Sequence, residues 1–461
     1  MSTPLLLAIK KIRDENVLLS VIQTLLNFGA DANAKDKDGL TSLLRVSEQG
    51  NNEIARILLM GGSDPDAADN DGWTPLIYAS YSGYGEVVKT LLNFGANPNI
   101  KDGNGQTSLI RASCEGYKEI VQTLLRFGAD PNVKGNDGWA PLSHVSQYGN
   151  KEIIQILLEG GSDPNIIDDD GWMPLMRASR VGHVEVVQTL LHSGADPSIR
   201  NGEGFTPLIY ASCWNHKEVV QKLLLAGADP NAKTKDELTS LVYASRGGHK
   251  EVIQMLLDFG ADPNIKVRNR WEPLLHVSQC GNNEIVQILL AGGSDPNITN
   301  DYGWTPLIYA SHEGHVEVVH TLLQFGVDPN VKDNDGQTPL MHAIDRENKE
   351  IVQTLIQIGV DINARDSIGW TPLIWAFFNG NKEIVQTLLN ANADINARDN
   401  EGWTPLMWAI YNGRKEIVQT LIQSGADSNA KSNDGTTPLN YAIKNGYEHI
   451  VQLLIKAGAE Q

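Results

Sequence analysis

Cysteines and long apolar runs are scarce in this sequence. The chain has 461 residues and three cysteines, Cys114, Cys213 and Cys280, with no CxxC pair. So few cysteines exclude a disulfide framework and the common zinc sites. No apolar run approaches the roughly 18 residues of a membrane span. No basic segment precedes the first apolar residues, as a signal peptide requires. We therefore expect a soluble, intracellular protein, in the cytoplasm.

Basic residues are also in the minority. The chain has 37 lysines and arginines against 56 aspartates and glutamates, which gives a net charge of -19. An acidic chain repels phosphate groups, so we expect binding neither to nucleic acid nor to an anionic membrane.

Sequence motifs for catalysis or cofactor binding are absent as well. There is no GxxxxGK[ST] loop and no GxGxxG after a strand. The segment His312-Glu313-Gly314-His315 lacks the HExxH spacing of a zinc site. His144, His276 and His342 recur in separate parts of the chain, too far apart to share a metal ion. We predict no catalytic residue, no metal, no cofactor and no enzymatic activity.

What the sequence does contain is an internal repeat. A Thr-Pro-Leu triplet, or a close variant, recurs after a first step of 38 residues with a period of 33. The fourteen repeats fill residues 1–461 as one array, with a cap-like repeat at 1–35 and a C-terminal cap at 432–461. The repeats start near Thr3, Thr41, Thr74, Thr107, Ala140, Met173, Thr206, Thr239, Glu272, Thr305, Thr338, Thr371, Thr404 and Thr437.

Each repeat has the local signals of a turn followed by two helices. Asp69–Gly72 has turn chemistry, because glycine accepts a positive φ at little cost. Thr74 suits a helix N-cap and Pro75 the first helical position. A second helix is predicted from Gly85 to about Phe94, since its apolar residues share one face. Gly95 is expected to end it as a left-handed cap.

The period and the Thr-Pro-Leu…Ala…Gly…Leu-Leu…Gly-Ala-Asp pattern resemble the ankyrin repeat across essentially the whole chain. The resemblance implies an all-α solenoid of helix-turn-helix units joined by β-hairpin-like loops, in a curved, elongated array. The family usually has histidine after Thr-Pro-Leu. Here an aliphatic contact is expected in its place, from Ile77, Ile110, Met176, Ile209, Ile308 and similar residues.

Two local departures from the pattern stand out. The first repeat carries five extra residues, which we place between its helices, around Lys10–Asn16. Two hairpin tips, Thr234–Leu238 and Val267–Trp271, lack the turn glycine and need another turn or local strain. The second tip is basic around Arg268 and Arg270. It is either a solvent-exposed loop whose sequence has drifted without a functional role or a contact for an acidic partner.

Four positions in the repeat vary most in chemical type. Counting the first triplet residue as position 0, they are positions -1, +4, +7 and +8, and the last three share one helix face. Tyrosine, tryptophan and arginine are enriched at binding hot spots. The resemblance assigns this stripe to the concave binding face. Its predicted partner-binding residues are Trp73, Tyr78, Tyr81, Arg111, Trp139, His144, Tyr148, Trp172, Arg177, Arg180, Phe205, Tyr210, Trp214, Tyr243, Arg246, Arg270, Trp271, His276, Trp304, Tyr309, His342, Trp370, Trp375, Phe378, Trp403, Trp408, Tyr411 and Tyr441.

A structural role for the same residues stays open. A tryptophan at position -1 can stack on the neighbouring hairpin and stiffen the array. Residues at position +4 can pack between neighbouring first helices. We predict a monomeric, non-catalytic scaffold or adaptor that binds a protein partner along its concave face. The alternatives are an elastic spacer or tether, and a host-directed effector of a pathogen or virus that uses the same binding mode.

Overall fold

A computed structural model describes residues 3–265 and 272–460 of the chain. These residues form 28 α-helices and no β-strand. The helices are α1 Pro4–Lys11, α2 Glu15–Asn27, α3 Ser42–Gln49, α4 Asn52–Met60, α5 Pro75–Tyr81, α6 Gly85–Asn93, α7 Ser108–Glu115, α8 Lys118–Arg126, α9 Pro141–Tyr148, α10 Lys151–Glu159, α11 Pro174–Val181, α12 Val184–His192, α13 Pro207–Cys213, α14 Lys217–Leu225, α15 Ser240–Gly247, α16 Lys250–Asp258, α17 Pro273–Cys280, α18 Asn283–Ala291, α19 Pro306–Glu313, α20 Val316–Gln324, α21 Pro339–Asp345, α22 Lys349–Gln357, α23 Pro372–Asn379, α24 Lys382–Asn390, α25 Pro405–Tyr411, α26 Lys415–Gln423, α27 Pro438–Lys444 and α28 Glu448–Lys456.

The chain divides into two compact units, Met1–Lys235 and Asp236–Gln461. Inside each unit the first helix of a repeat packs against the second helix of the same repeat. It also packs against the first helix of the next repeat, as α3 does with α4 and α5. The predicted all-α fold, a solenoid of helix-turn-helix repeats, is confirmed. That residues 1–461 form a single array with caps at 1–35 and 432–461 stays a prediction.

The first helices begin where the triplet predicts. The Oγ1 atom of Thr74 accepts a hydrogen bond of 3.3 Å from the N–H of Ile77, and Pro75 occupies the first turn of α5. Where Ala140 or Met173 replaces the threonine, the helix begins at the same place without a side-chain cap. Such a cap contributes about 1 kcal/mol, so stacking determines where those helices begin.

Aliphatic side chains from both helices of a repeat form the core. Leu76 and Ile77 of α5 and Val88 and Leu91 of α6 are 0% exposed. Burying one such side chain stabilises the fold by about 1.5–3 kcal/mol. The aliphatic residues after Thr-Pro-Leu are fully buried, as expected: Ile77, Ile110, Met176, Ile209 and Ile308.

Successive hairpin loops of the N-terminal unit approach each other through their backbones. The N–H of Gly103 donates to the Asp71 carbonyl at 2.8 Å, and the N–H of Asn136 donates to the Asn104 carbonyl at 3.0 Å. Gly105 has a φ of +75°, and a Cβ at this position would lie 2.5 Å from the backbone nitrogen of Asn136. Glycine is therefore required here both by the backbone conformation and by the close approach of the next loop.

The structure changes one expectation about the irregular repeats and explains another. The extra residues of the first repeat mainly lengthen α2, which has 13 residues where α4 has 9. They do not widen the loop between α1 and α2 as expected, because Glu15–Asn27 contains no helix-breaking residue. In the glycine-free tip 234–238, Glu237 itself adopts a φ of +64°. The other tip, with Arg268 and Arg270, lies outside the described residues.

We predict that Gly105→Ala is more destabilising than Gly95→Ala. Both glycines have a positive φ, but a Cβ at Gly95 would meet nothing within 4 Å. Gly95→Ala should therefore cost about 1 kcal/mol from backbone strain alone. Gly105→Ala should cost a further 1–3 kcal/mol or so, because the next loop must move. Urea unfolding of both variants measures the difference, and equal losses would contradict the close loop approach.

Candidate protein-binding surface

The predicted stripe residues differ in how much surface they present. Seven are exposed: Tyr81, Tyr148, Arg180, Trp214, Arg246, Phe378 and Tyr411. Three are buried: Arg177, His342 and Trp370. Sixteen are half-buried: Trp73, Tyr78, Arg111, Trp139, His144, Trp172, Phe205, Tyr210, Tyr243, His276, Trp304, Tyr309, Trp375, Trp403, Trp408 and Tyr441. Arg270 and Trp271 lie outside the described residues.

In many of the repeats a single side chain of the hairpin turn holds the position +4 residue in place. We call the residue at position -5 the hairpin anchor. The Oδ1 atom of the anchor Asp69 accepts the N–H groups of Asp71 and Trp73, at 3.0 and 2.9 Å. Its Oδ2 atom accepts the hydroxyl of Tyr78, at position +4, at 2.7 Å. One carboxylate thus closes the turn and orients a ring on the following helix.

The same bond from position +4 to the anchor recurs with other donors. Arg111 donates to Asp102 at 2.6 Å, and Arg177 forms a buried ion pair with Asp168. The remaining pairs are His342 with Asp333 at 2.9 Å, Trp375 with Asp366 at 3.0 Å, and Trp408 with Asp399 at 2.9 Å. A buried carboxylate without such a donor would be costly, so each of these pairs stabilises the fold of its repeat.

Where the anchor is asparagine, position +4 is tyrosine. The Oδ1 atom of Asn300 already accepts the N–H groups of Tyr302 and Trp304, both at 2.9 Å. Its remaining polar group is an NH₂, which donates to the Tyr309 hydroxyl at 2.8 Å. Asn201 and Tyr210 form the same pair at 2.9 Å. A hydroxyl can accept this bond, whereas arginine and the tryptophan indole can only donate.

In some repeats position -5 is neither aspartate nor asparagine, as with Gly135, Thr234 and Ser432. In the repeat that has Gly135, the Nε2 atom of His144 lies 3.6 Å from a carboxylate oxygen of Asp137. Burial lowers the pKa of His144. Asp137 opposes this shift, while Arg177 and Arg111 add to it. The imidazole is therefore kept neutral in the folded protein at pH values where a solvated histidine begins to protonate.

The anchored side chains and the position -1 aromatics form a ladder within the N-terminal unit. The Trp73 ring contacts Tyr78 of its own repeat at 4.9 Å between centroids, and the Arg111 guanidinium of the next repeat lies 4.9 Å from it. Farther along, Arg177 covers Trp139 at 3.3 Å and Tyr210 stacks on Trp172 at 4.6 Å. Trp73, Trp139 and Trp172 therefore each contact a position +4 side chain of their own repeat and one of the next repeat.

A second ladder runs through the C-terminal unit. Trp304 contacts Tyr309 at 5.0 Å and His342 of the next repeat at 4.7 Å. Trp370 contacts Trp375 at 5.2 Å and Trp408 of the next repeat at 4.8 Å. The outer rings of this ladder belong to Phe378, Tyr411 and His312, and His312 is a ladder residue that the sequence prediction left out.

Family comparison agrees with this repeating geometry. A family profile described as ankyrin repeats (3 copies) matches residues 5–102, 109–201, 194–267, 241–333, 274–366, 313–399, 366–432 and 397–461. A second, described as ankyrin repeats (many copies), matches residues 86–125. The chain belongs to the ankyrin repeat family. No curated protein matches it. Ankyrin repeats are in general protein–protein interaction modules, and this chain carries them over nearly its whole length.

The hairpin anchors of this ankyrin repeat protein escaped the sequence prediction. A usable signal exists, because the amino acid at position -5 varies together with the one at position +4. Aspartate accompanies arginine, histidine, tryptophan or, in Asp69 and Tyr78, tyrosine, whereas both asparagine pairs have tyrosine. The sequence alone indicates only a turn at the anchors. Their hydrogen-bond partner on the helix lies nine residues farther along the chain, so the turn pattern does not reveal it.

In the described part of the ankyrin repeat protein, the His, Cys, Asp and Glu side chains form no group able to hold a metal ion. Burial raises the pKa of the Cys114 thiol to about 11, which disfavours the reactive thiolate. None of the helices in 3–265 and 272–460 combines the length and apolar character needed to cross a membrane.

We predict that Asp399→Asn destabilises the protein and that Trp408→Tyr restores it in the same chain. Asparagine would set an NH₂ group against the Trp408 indole N–H, leaving two buried donors unpaired at a cost of about 1–3 kcal/mol. The double variant recreates the pair formed by Asn300 and Tyr309. Urea unfolding of the two single variants and the double variant gives the coupling energy. A coupling near zero would contradict the anchor rule.

We also predict that His144→Gln reduces the loss of stability in mild acid. The folded-state pKa of His144 lies below its ordinary value of 6.5. Below about pH 6.5 the unfolded chain therefore binds more protons, and the free energy of unfolding falls as the pH falls. The variant should lose less stability between pH 7.5 and 5 or so in denaturant titrations. Asp137→Asn should lose more, because Asp137 raises that pKa. Identical pH slopes in all three proteins would contradict this.

Proposed function

We propose that this ankyrin repeat protein is a non-catalytic scaffold or adaptor that binds a protein partner along the face of its ladders. The observation that carries the proposal is that some ladder side chains support the surface while others are exposed on it. Members such as Trp375 and Trp408 are fixed by anchors, while the outer rings Phe378 and Tyr411 remain 40% and 48% exposed. Large aromatic side chains exposed together commonly mark an interaction surface.

Rigidity of the supporting rings strengthens the proposal. Trp375 and Trp408 are each fixed by an indole hydrogen bond to a buried aspartate. Phe378 and Tyr411 rest on this layer, with ring centroids 5.1 Å from Trp370 and 5.9 Å from Trp403. A preorganised aromatic surface loses little conformational entropy when a partner binds, so more of the contact energy appears as affinity.

A mechanical role as an elastic spacer or tether is the second candidate. It is favoured by the ring contacts that join successive repeats, such as Trp172 with Tyr210 and Trp403 with Tyr441. These contacts stiffen the stack whether or not a partner binds. They do not require the outer rings, however, and Phe378 and Tyr411 would then be replaceable without consequence.

The proposed setting is intracellular, in keeping with three free cysteines in an acidic chain. A host-directed effector would use the same face, and that the protein acts as a monomer stays a prediction.

We predict that Phe378→Ser and Tyr411→Ser each weaken partner binding strongly without unfolding the protein. Proteins captured from lysate by the immobilised full chain are quantified by mass spectrometry. Loss of a hot-spot ring should reduce recovery of the partner by about tenfold or more. The change in melting temperature should be small, because both rings are on the outside.

Phe325→Ser is the matched control for these variants. Phe325 is 47% exposed but follows α20, a second helix, away from the ladder positions. The proposal predicts full recovery with this control. Equal recovery by the wild type and both ladder variants would instead favour the tether. Equal loss with all three variants would indicate non-specific hydrophobic capture.

A further inference from the structure

A groove with a volume of about 250 Å³ lies on the N-terminal unit, beside the outer edge of its ladder. It is lined by Gln147, Trp172, Arg177, Arg180, Val181 and Trp214. Two indoles and two guanidinium groups therefore line one small concavity in a chain whose net charge is -19.

The two arginines of the groove have different electrostatic surroundings. Arg177 is buried, forms an ion pair with the hairpin anchor Asp168, and covers the Trp139 ring at 3.3 Å. Arg180 is exposed, and its guanidinium carbon lies 5.5 Å from the centroid of the Trp172 ring. Within 3–265 and 272–460, Arg180 makes no ion pair. The charge of Arg177 is thus compensated inside the protein and that of Arg180 is not.

The walls of the groove are held together by a hydrogen bond. Trp214 directly follows α13 and is 57% exposed. Asn215 then adopts a φ of +59°, where most repeats have glycine, and His216 follows it. The Nε2 atom of His216 lies 3.0 Å from the carbonyl oxygen of Arg180. This bond ties the turn after Trp214 to the end of α11, so it links the backbone segments that carry Trp214 and Arg180.

We propose that this groove binds a glutamate or aspartate side chain of an extended partner segment, with a neighbouring apolar side chain of that segment packed on Trp214. The proposal rests on the proposed function, since it names what the ladder face recognises at one place. Arg180 supplies a planar guanidinium that can meet a carboxylate through two parallel hydrogen bonds. The indoles shield that contact from water and offer an apolar surface beside it.

Charge favours a carboxylate over a phosphate as the occupant. A phosphate carries up to two charges and is usually held by several cations. Here the second cation, Arg177, is already paired with Asp168. One uncompensated guanidinium matches one carboxylate. Because the rest of the chain is acidic, an acidic segment would be repelled elsewhere and drawn to this groove.

Selection from a phage-displayed library of random dodecapeptides tests this inference. The immobilised full chain should enrich peptides in which Asp or Glu adjoins an apolar residue. Arg180→Gln should lose that enrichment. Arg126→Gln is the matched control, because Arg126 is an exposed arginine at the end of α8, a second helix, and its replacement changes the net charge equally. Enrichment without acidic residues, or its persistence in Arg180→Gln, would overturn the proposal.

A double-mutant cycle then assigns the contact. For a selected peptide, Glu→Gln in the peptide and Arg180→Gln in the chain should each weaken binding about tenfold in fluorescence anisotropy. Both changes together should weaken binding no further. Additive losses would show that the two groups do not meet. A phosphoserine in place of the glutamate that bound more tightly would also overturn the carboxylate assignment.

The outcomes separate this inference from the proposed function. Binding of the selected peptides could be lost on replacement of Phe378, Tyr411 or Trp214 but not of Arg180. The proposed carboxylate site would then be wrong, and the proposed binding face would still be supported. If none of these replacements affects any selected peptide, the binding face fails as well.

Discussion

In the described part of the chain, eight position +4 side chains are held by a hydrogen bond or ion pair to one side chain in the preceding turn. The anchor carboxylate of Asp399 accepts two backbone N–H groups of its own turn, from Glu401 and Trp403, and the indole N–H of Trp408. The turn, the position -1 ring and the position +4 ring are therefore coupled through one group. Because a buried carboxylate must be satisfied, losing one of these three donors destabilises the turn as well as the surface.

This coupling divides the surface into residues that support it and residues that present it. Arg177, His342 and Trp370 are buried by their anchors or by neighbouring rings and mainly hold others in place. Phe378 and Tyr411 carry the exposed area. An alanine substitution among the first group would change stability and binding together. Under the proposed function, a partner would therefore contact mostly the outer rings and uncompensated charges such as that of Arg180.

Periodic and local features of the chain were predictable, and contacts between distant positions were not. The cap at Thr74, the stop at Gly95 and the buried Ile77 follow from residue types acting within a few positions. The burial of Trp370 depends on Trp408 in the next repeat, 38 residues away, and periodicity alone does not show which ring covers which. The anchor role of position -5 was not predicted for the same reason. An aspartate that forms a turn needs no further partner, so nothing in the turn indicates its hydrogen bond to the helix.

The anchor carboxylate requires only a hydrogen-bond donor at position +4. Four kinds of side chain supply one: tyrosine, histidine, arginine and tryptophan. In the genetic code these four form a path of single-nucleotide changes, from tyrosine to histidine to arginine to tryptophan. A repeat can therefore move from a phenol to a cation to an indole at position +4 while its anchor stays satisfied at every step. Copied repeats can therefore diversify in the chemistry of position +4 without losing the hydrogen bond that stabilises their fold.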